Sequence, residues 1–384
     1  MRASKPLATG RARPTIIVSL RPRQLRPDLP VGEVERILVE PPRPQPDAWW
    51  LWPNVHRAQR RLAQRAMQNT PPYPGESGRG IVVVGGGKYF VSAYVTIRVL
   101  RHVGCHLPIE LWHLRGEMNR RQKGLVQPWG VRCVDADALT AKRPFRFLDH
   151  WWRGWQLKAY ALLHCGFREV LLLDADCYPV RNPEFLFRWS GYQTHGAAFW
   201  PDLLSEMGHF GVDPFAVLGI KPLSGAASES GQLLLDRGRC WKELCLAAHY
   251  NSQADFVYKI VYGDKDTFPL AWLRLNRPFA RPWPYCTHRP PGLIQHGPDG
   301  LPLFQHRIGD KFRLCGVKFD GSPQGTVENL YHPRMEHELF CFRVLEELAE
   351  LWPASARSEN GRATGGRPAS ARQTATRPAP EVRQ

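Results

Sequence analysis

The sequence contains no unbroken apolar run of about 18 residues, the length that a membrane-spanning helix requires. Its first residues are rich in Arg and Pro and lack an apolar core segment, so no secretory signal is expected. The nine cysteines (105, 133, 165, 177, 240, 245, 286, 315 and 341) are odd in number and scattered, without a Cys-x-x-Cys pair. A disulfide framework and a structural zinc site are therefore not expected, and reduced, mostly buried thiols in a cytosolic protein fit the pattern. No Gly-x-Ser-x-Gly elbow and no His-Glu-x-x-His motif occurs, which counts against the serine hydrolases and metalloproteases that use them. Despite a net charge of +17, there is no zinc-finger spacing, RNP-like motif or Arg-rich base-reading helix, so nucleic acid is not an expected partner.

The positive charge is uneven. Residues 1–45 carry nine Lys/Arg against four Asp/Glu, and residues 353–384 carry six against two. Both segments are Arg- and Pro-rich and read as a disordered arm and tail. Between them, residues 46–75 are expected to form an N-terminal helical segment and 76–352 the main domain. The helix expected over Asp47–Gln68 has two readings: packed on the domain, which is favoured, or lying on a membrane surface. The expected location is cytoplasmic, with peripheral membrane contact through the basic segments left open. A basic middle region suits an anionic ligand such as a nucleotide diphosphate.

The most informative stretch is Glu169–Arg181, read as Glu-Val-Leu-Leu-Leu-Asp-Ala-Asp-Cys-Tyr-Pro-Val-Arg. Val170–Leu173 predicts a strand buried on both faces. It stops at Asp174-Ala175-Asp176, and Pro179 is expected to prevent simple continuation of the ladder. In a strand, Asp174 and Asp176 share a face. Two carboxylates there repel and desolvate poorly, so they call for a cation, and Mg²⁺ or Mn²⁺ would satisfy them. A second Asp-x-Asp, Asp135-Ala136-Asp137, follows a shorter apolar run and reads as a strand end or a nucleoside-side carboxylate.

Around this strand, the pattern alternates. Strands are predicted at Ile81–Val84, Leu107–Leu114 and Val131–Val134. Helices are predicted at Phe90–His102, Asn119–Val126 and Trp151–Cys165. This is an α/β class with a mostly parallel central sheet and helices on both faces. Ligands in such sheets bind at the carboxyl ends of the strands, where Asp174 and Asp176 fall. Gly85-Gly86-Gly87 after the first strand offers backbone N–H groups to phosphate or a nucleotide. Later come strands at Ala197–Trp200 and Leu233–Leu235, a helix at Trp241–Tyr250, a helix opened by Gly263–Phe268, a hairpin over Gly292–Ile308 and a final helix, Glu336–Leu351. Asp264 or Asp266 has a plainer reading as an N-cap.

An Asp pair, Lys158 on the preceding helix and a late His306-Arg307…Lys311 cluster suit a diphosphate leaving group, whose charge a metal and cations would stabilise. Gln232, Glu229 and Asp266 fall where strands end or helices begin and face the other end of such a donor.

Five blocks in order carry a resemblance. Leu107–Trp112 with Glu117, Lys158–Leu162, Phe167–Asp176 with Asn182–Phe187, Glu229–Gln232 and Gly263–Phe268 resemble the fungal Golgi α-mannosyltransferase family over about residues 80–312. That resemblance implies a GT-A fold and Mn²⁺ (or Mg²⁺) held by Asp174 and Asp176. It also implies a nucleotide-sugar donor (GDP- or UDP-sugar), a carbohydrate or glycoconjugate acceptor, and retention to give an α linkage. The glycogenin-like GT-A enzymes add a late metal-ligating histidine in His-x-x-Gly-x-x-Lys. Here His306-x-x-Gly309-x-Lys311 is one residue shorter, and His306 is the implied third ligand. Lys158 and Lys311 are then expected on phosphate and Gly85, Gly86 and Gly87 beside the nucleoside. Asp174 is expected on metal or ribose, Gln232 or Asp266 near the anomeric carbon, and Glu229 at the acceptor. The family's membrane anchor and luminal cysteine pattern are not expected here. The expected activity is glycosyl transfer, with mannose the family's sugar. The alternatives are an Asp-x-Asp phosphatase or phosphotransferase, which would want a small hydroxyl residue where Tyr178 stands, and a non-catalytic binding protein.

Overall fold

The computed structural model describes residues 48–148, 153–203, 207–208, 212–225, 227–283, 285–289, 292–309, 311–314, 332 and 334–351. The basic arm at 1–45 and the tail from 353 lie outside the described residues, as does Trp151 at the head of one expected helix. The chain divides into two compact units, residues 1–58 and 59–384. In the first, Trp49–Leu51 forms a 3-10 turn and a helix opens at Pro53. The helix expected from Asp47 thus begins later, at a proline whose fixed φ suits a first turn and whose missing N–H would have had no partner there. It runs to Gln68.

The second unit is built on a six-stranded sheet. Its strands are β1 (Arg79–Val84), β2 (Ile109–His113), β3 (Val131–Asp135), β4 (Glu169–Asp174), β6 (Ala197–Pro201) and β7 (Ser228–Asp236), in the order β3-β2-β1-β4-β7-β6. β1 to β4 are mutually parallel, and β7 pairs antiparallel with both β4 and β6. The sheet is therefore mostly parallel, as the alternating pattern predicts. Val170–Leu173 are fully buried because β4 has neighbours on both edges and helices over both faces. Ile81, Val83, Leu171 and Leu173 pack with the helices Phe90–His102 and Glu338–Leu351. Val82 and Leu172 alternate to the other face, covered by the helix Arg153–His164 with Trp241–Ser252 and Thr267–Arg274 beyond it.

A second, antiparallel sheet has the order β5-β10-β9-β8, with β5 at Cys177–Pro179, β8 at Cys286–Arg289, β9 at Gly292–His296 and β10 at Pro302–His306. β9 and β10 are the expected hairpin. β5 and β8 were not expected: three and four residues are too few for a period to show. The ladder does continue past Asp176, but in a different sheet. Pro179 is tolerated because β5 is an edge strand, and Val180 N donates to Leu303 O at 2.8 Å just beyond it. Asp174 and Asp176 consequently do not share one strand. Asp174 ends β4, and Ala175-Asp176 form the turn between the two sheets. Among the described residues, no helix is long and apolar enough to cross a membrane.

Leu172 has no exposed surface. Leu172→Ala should therefore destabilise the domain by about 2–5 kcal/mol, read by denaturant unfolding. A cost under about 1 kcal/mol would contradict the two-faced burial of β4.

Candidate active site

The carboxyl ends of the parallel strands gather the site. Asp174 stands at the end of β4, beside Val84 at the end of β1. The glycine run following β1 lies against the Asp-x-Asp turn: a Cβ on Gly85 would come within 2.8 Å of Ala175 Cβ. Gly86 is closed in by His113 and Glu117, and Gly87 adopts φ +51°, in the left-handed region. Thr96 Oγ1, from the helix behind, donates to Ala175 O at 2.7 Å and pins the turn.

The second sheet brings in His306. β10 pairs with β5 so that His306 lies opposite Cys177, and Arg307 N donates to Asp176 O at 2.9 Å. His306 Nε2 is then 3.4 Å from Asp176 Oδ1 and 3.9 Å from Asp174 Oδ2. One ligand-type atom from each of the three residues falls within 4.8 Å of the others. Gly231 leaves room for the imidazole, since a Cβ there would sit 2.5 Å from His306 Nδ1. Glu229 Oε1 lies 3.7 Å from that Nδ1 and accepts from the N–H groups of Ser230 and Gly231. Lys311 forms an ion pair with Asp176.

Lys158 is buried and its ammonium is fully engaged. It donates to Asp174 Oδ2 and Ser230 Oγ, both at 2.9 Å, and lies 3.2 Å from Asp264 Oδ2. Burial alone would lower its pKa, but the Asp174 and Asp264 carboxylates hold it above the ordinary lysine value. Burial pushes the Asp264 carboxyl up, with Lys158 pulling the other way. Ser230 was not singled out from the sequence, and Asp264 only as an N-cap, although both lie inside quoted blocks. Their role depends on a lysine that is distant in the chain.

Gln232 lies on β7 opposite Leu173 of β4. It is fully buried, its Oε1 accepting from Cys177 Sγ at 3.2 Å. Asp266 sits in a further cluster with Lys265, which pairs with Asp202. It precedes the helix Thr267–Arg274 but makes no side-chain cap, and its Oδ1 is buried with no hydrogen-bond partner among the described residues. Asp202 and Lys265 are further polar residues that the pattern did not reveal. The second Asp-x-Asp is structural in its contacts: Asp135 ends β3 and caps the next helix by accepting from Ala138 N, while Asp137 accepts from Arg115 N.

Burial, then the neighbouring Asp202 charge, pushes the Asp266 carboxyl from 3.8 up to about 7, against the pull of Lys265. Between those values the folded protein holds a proton that the unfolded chain has released. Stability should thus fall as pH rises from about 4 to about 7, by up to about 4 kcal/mol from this group. Asp266→Asn should flatten that part of the profile in urea titrations; a variant with the wild-type slope would contradict it.

A family model described as "Mannosyltransferase putative" matches residues 78–215 and 220–281, which include Lys158, Asp174, Asp176, Glu229 and Asp266 but end before His306. The alpha-1,2-mannosyltransferase MNN24 of Candida albicans is 31% identical over 242 residues, covering 53% of this chain and 34% of that protein. The alpha-1,2-mannosyltransferase MNN5 of Saccharomyces cerevisiae is 27% identical over 261 residues, covering 52% of this chain and 44% of that protein. The chain therefore spans less than half the length of these curated relatives. Among solved structures, the WbbM bifunctional glycosyltransferase aligns with TM-score 0.39 at 14% identity, over 54% of this chain and 39% of that one. The galactosyltransferase LgtC, in complex with donor and acceptor sugar analogs, aligns with TM-score 0.36 at 14% identity, over 52% and 73%. Since the family model spans just over half of the 384 residues, from β1 to beyond the Asp-x-Asp turn, the chain belongs to the family it describes.

Proposed function

We propose that this protein is a metal-dependent glycosyltransferase of GT-A type that moves a sugar from a nucleotide-diphosphate donor to a hydroxyl acceptor, with retention. The observation that carries the reading is the convergence of Asp174, Asp176 and His306 at the carboxyl ends of parallel strands. The donor set fits Mn²⁺. Two carboxylates and one imidazole give a mixed oxygen and nitrogen set, whereas Mg²⁺ draws nearly all its ligands from oxygen. When bound, the ion would supply positive charge to the diphosphate as the glycosidic bond to it breaks.

The chain's own residues divide the remaining work. Lys158 has its donors taken by Asp174, Ser230 and Asp264, so its part is to orient Asp174. Phosphate contact falls to Lys311, which pairs with Asp176. The Gly85–Gly87 turn, crowded at Gly85 and Gly86 and left-handed at Gly87, would offer its backbone to a nucleoside. Glu229, within 3.7 Å of His306 and fixed by two backbone N–H groups, is placed to orient an acceptor hydroxyl. Asp266, whose buried Oδ1 has no partner among the described residues, is the acidic group offered to the transferred sugar. The names of the relatives support mannose as the sugar, and GDP-mannose is the donor to try first. A glycan or glycoconjugate acceptor, and a cytoplasmic setting with membrane contact through the basic arms, complete the proposal.

The test is donor hydrolysis and transfer with Mn²⁺ and a panel of GDP- and UDP-sugars. Asp176→Asn should lose on the order of a thousandfold in both while still unfolding cooperatively. One nucleoside diphosphate at about 100 times its dissociation constant should raise stability by about 2.7 kcal/mol, and EDTA should remove the shift. Full activity in Asp176→Asn would overturn the proposal.

A further inference from the structure

Strand alternation puts Phe304 and His306 on one face of β10 and Gln305 and Arg307 on the other. The second pair grips a single short segment. Gln305 Oε1 accepts from Glu336 N at 2.9 Å, and Gln305 Nε2 donates to Glu336 O at 3.0 Å. Two residues on, Arg307 Nη1 donates to both Glu338 oxygens, at 2.7 and 2.8 Å. Neither Arg307 nor Glu338 has appreciable side-chain exposure (0% and 1%). The guanidinium also lies over the Phe312 ring, 4.1 Å from its centroid. Glu338 is the first residue of the helix Glu338–Leu351, where a carboxylate suits the helix dipole, and it accepts from His332 N as well.

The circuit closes on the site. Arg307 N holds Asp176 O, and the helix Glu338–Leu351 packs on Phe90–His102, whose Thr96 holds Ala175 O. Apolar residues of equal volume often stabilise a fold as well as a buried ion pair does. What the pair adds here is direction: it sets the height of β10, and with it His306, against the Asp-x-Asp turn. His306, Arg307 and Glu338 all lie beyond the family-matched segments, so the third ligand and its support come from the same C-terminal region.

We propose that the Arg307–Glu338 pair, with Gln305, is a positioning clamp that holds His306 at metal-binding distance from Asp174 and Asp176; this rests on the metal reading above. Arg307 and Glu338 touch neither metal nor substrate and act through β10.

The test is Mn²⁺ titration of the metal-stripped full chain, reading free Mn²⁺ by electron paramagnetic resonance. Glu338→Gln, checked as folded by circular dichroism, should bind Mn²⁺ about 10–100-fold more weakly. In a His306→Ala background the same change should cost nothing further. Asp255→Asn, which breaks the Arg146–Asp255 pair elsewhere in the domain, should lower Tm and leave Mn²⁺ affinity unchanged. If Glu338→Gln does not fold, Arg307→Lys is read through the same cycle. A wild type that binds Mn²⁺ with folded clamp variants of equal affinity overturns the clamp alone, as does an equal loss with and without His306. A wild type that binds no Mn²⁺ overturns the metal reading and the clamp together.

Discussion

Two carboxylates held at one point repel each other, and burial sharpens the repulsion because little water remains to screen it. Asp174 and Asp176 are in that position, and much of the domain is arranged to compensate them. Lys158 reaches Asp174 from the helix before β4, Lys311 reaches Asp176 from the segment after β10, and His306 stands against both. Each cationic or imidazole group comes from a different element. The positions of those elements are in turn fixed by apolar contacts that have nothing to do with charge.

The sheet makes this possible. Four parallel strands end on one side, so their termini and the loops that follow share one rim. β4 is covered on both faces and flanked by β1 and β7, and its end is consequently among the most rigid places available for a charged group. The change of sheet at Ala175-Asp176 turns the chain sharply away. This separates the two carboxylates enough for different partners while keeping both within reach of one imidazole. Glycines at 85, 86, 231 and 292 mark where other segments come so close that a Cβ would collide with the site's own atoms.

A division of labour follows between the part of the chain that resembles its relatives and the part that completes the site. The family-matched segments carry the Asp-x-Asp turn, Lys158 with its partners Ser230 and Asp264, and the Asp202–Lys265–Asp266 cluster. The hairpin and last helix carry His306, Lys311 and the buried Arg307–Glu338 pair. The β5–β10 ladder, extended by the hydrogen bond from Arg307 N to Asp176 O, joins the two parts beside Asp174, Asp176 and His306.

The order of strands and helices, the buried central strand and the Asp-x-Asp at its end were legible in the sequence. They depend on local pattern: Val170–Leu173 is apolar without interruption, and Phe90–His102 has the periodicity and length that the helix shows. Short strands such as Cys177–Pro179 left no such trace, because their pairing partner is more than a hundred residues away in the chain. The pairing of Lys158 with Asp174, Ser230 and Asp264 was hidden for the same reason, as was the burial that raises Asp266. The sequence by itself determined which groups could carry charge and where the apolar layers run. Only the tertiary structure decided which charges meet, since ion pairing and desolvation depend on distances through space that residue spacing along the chain does not encode.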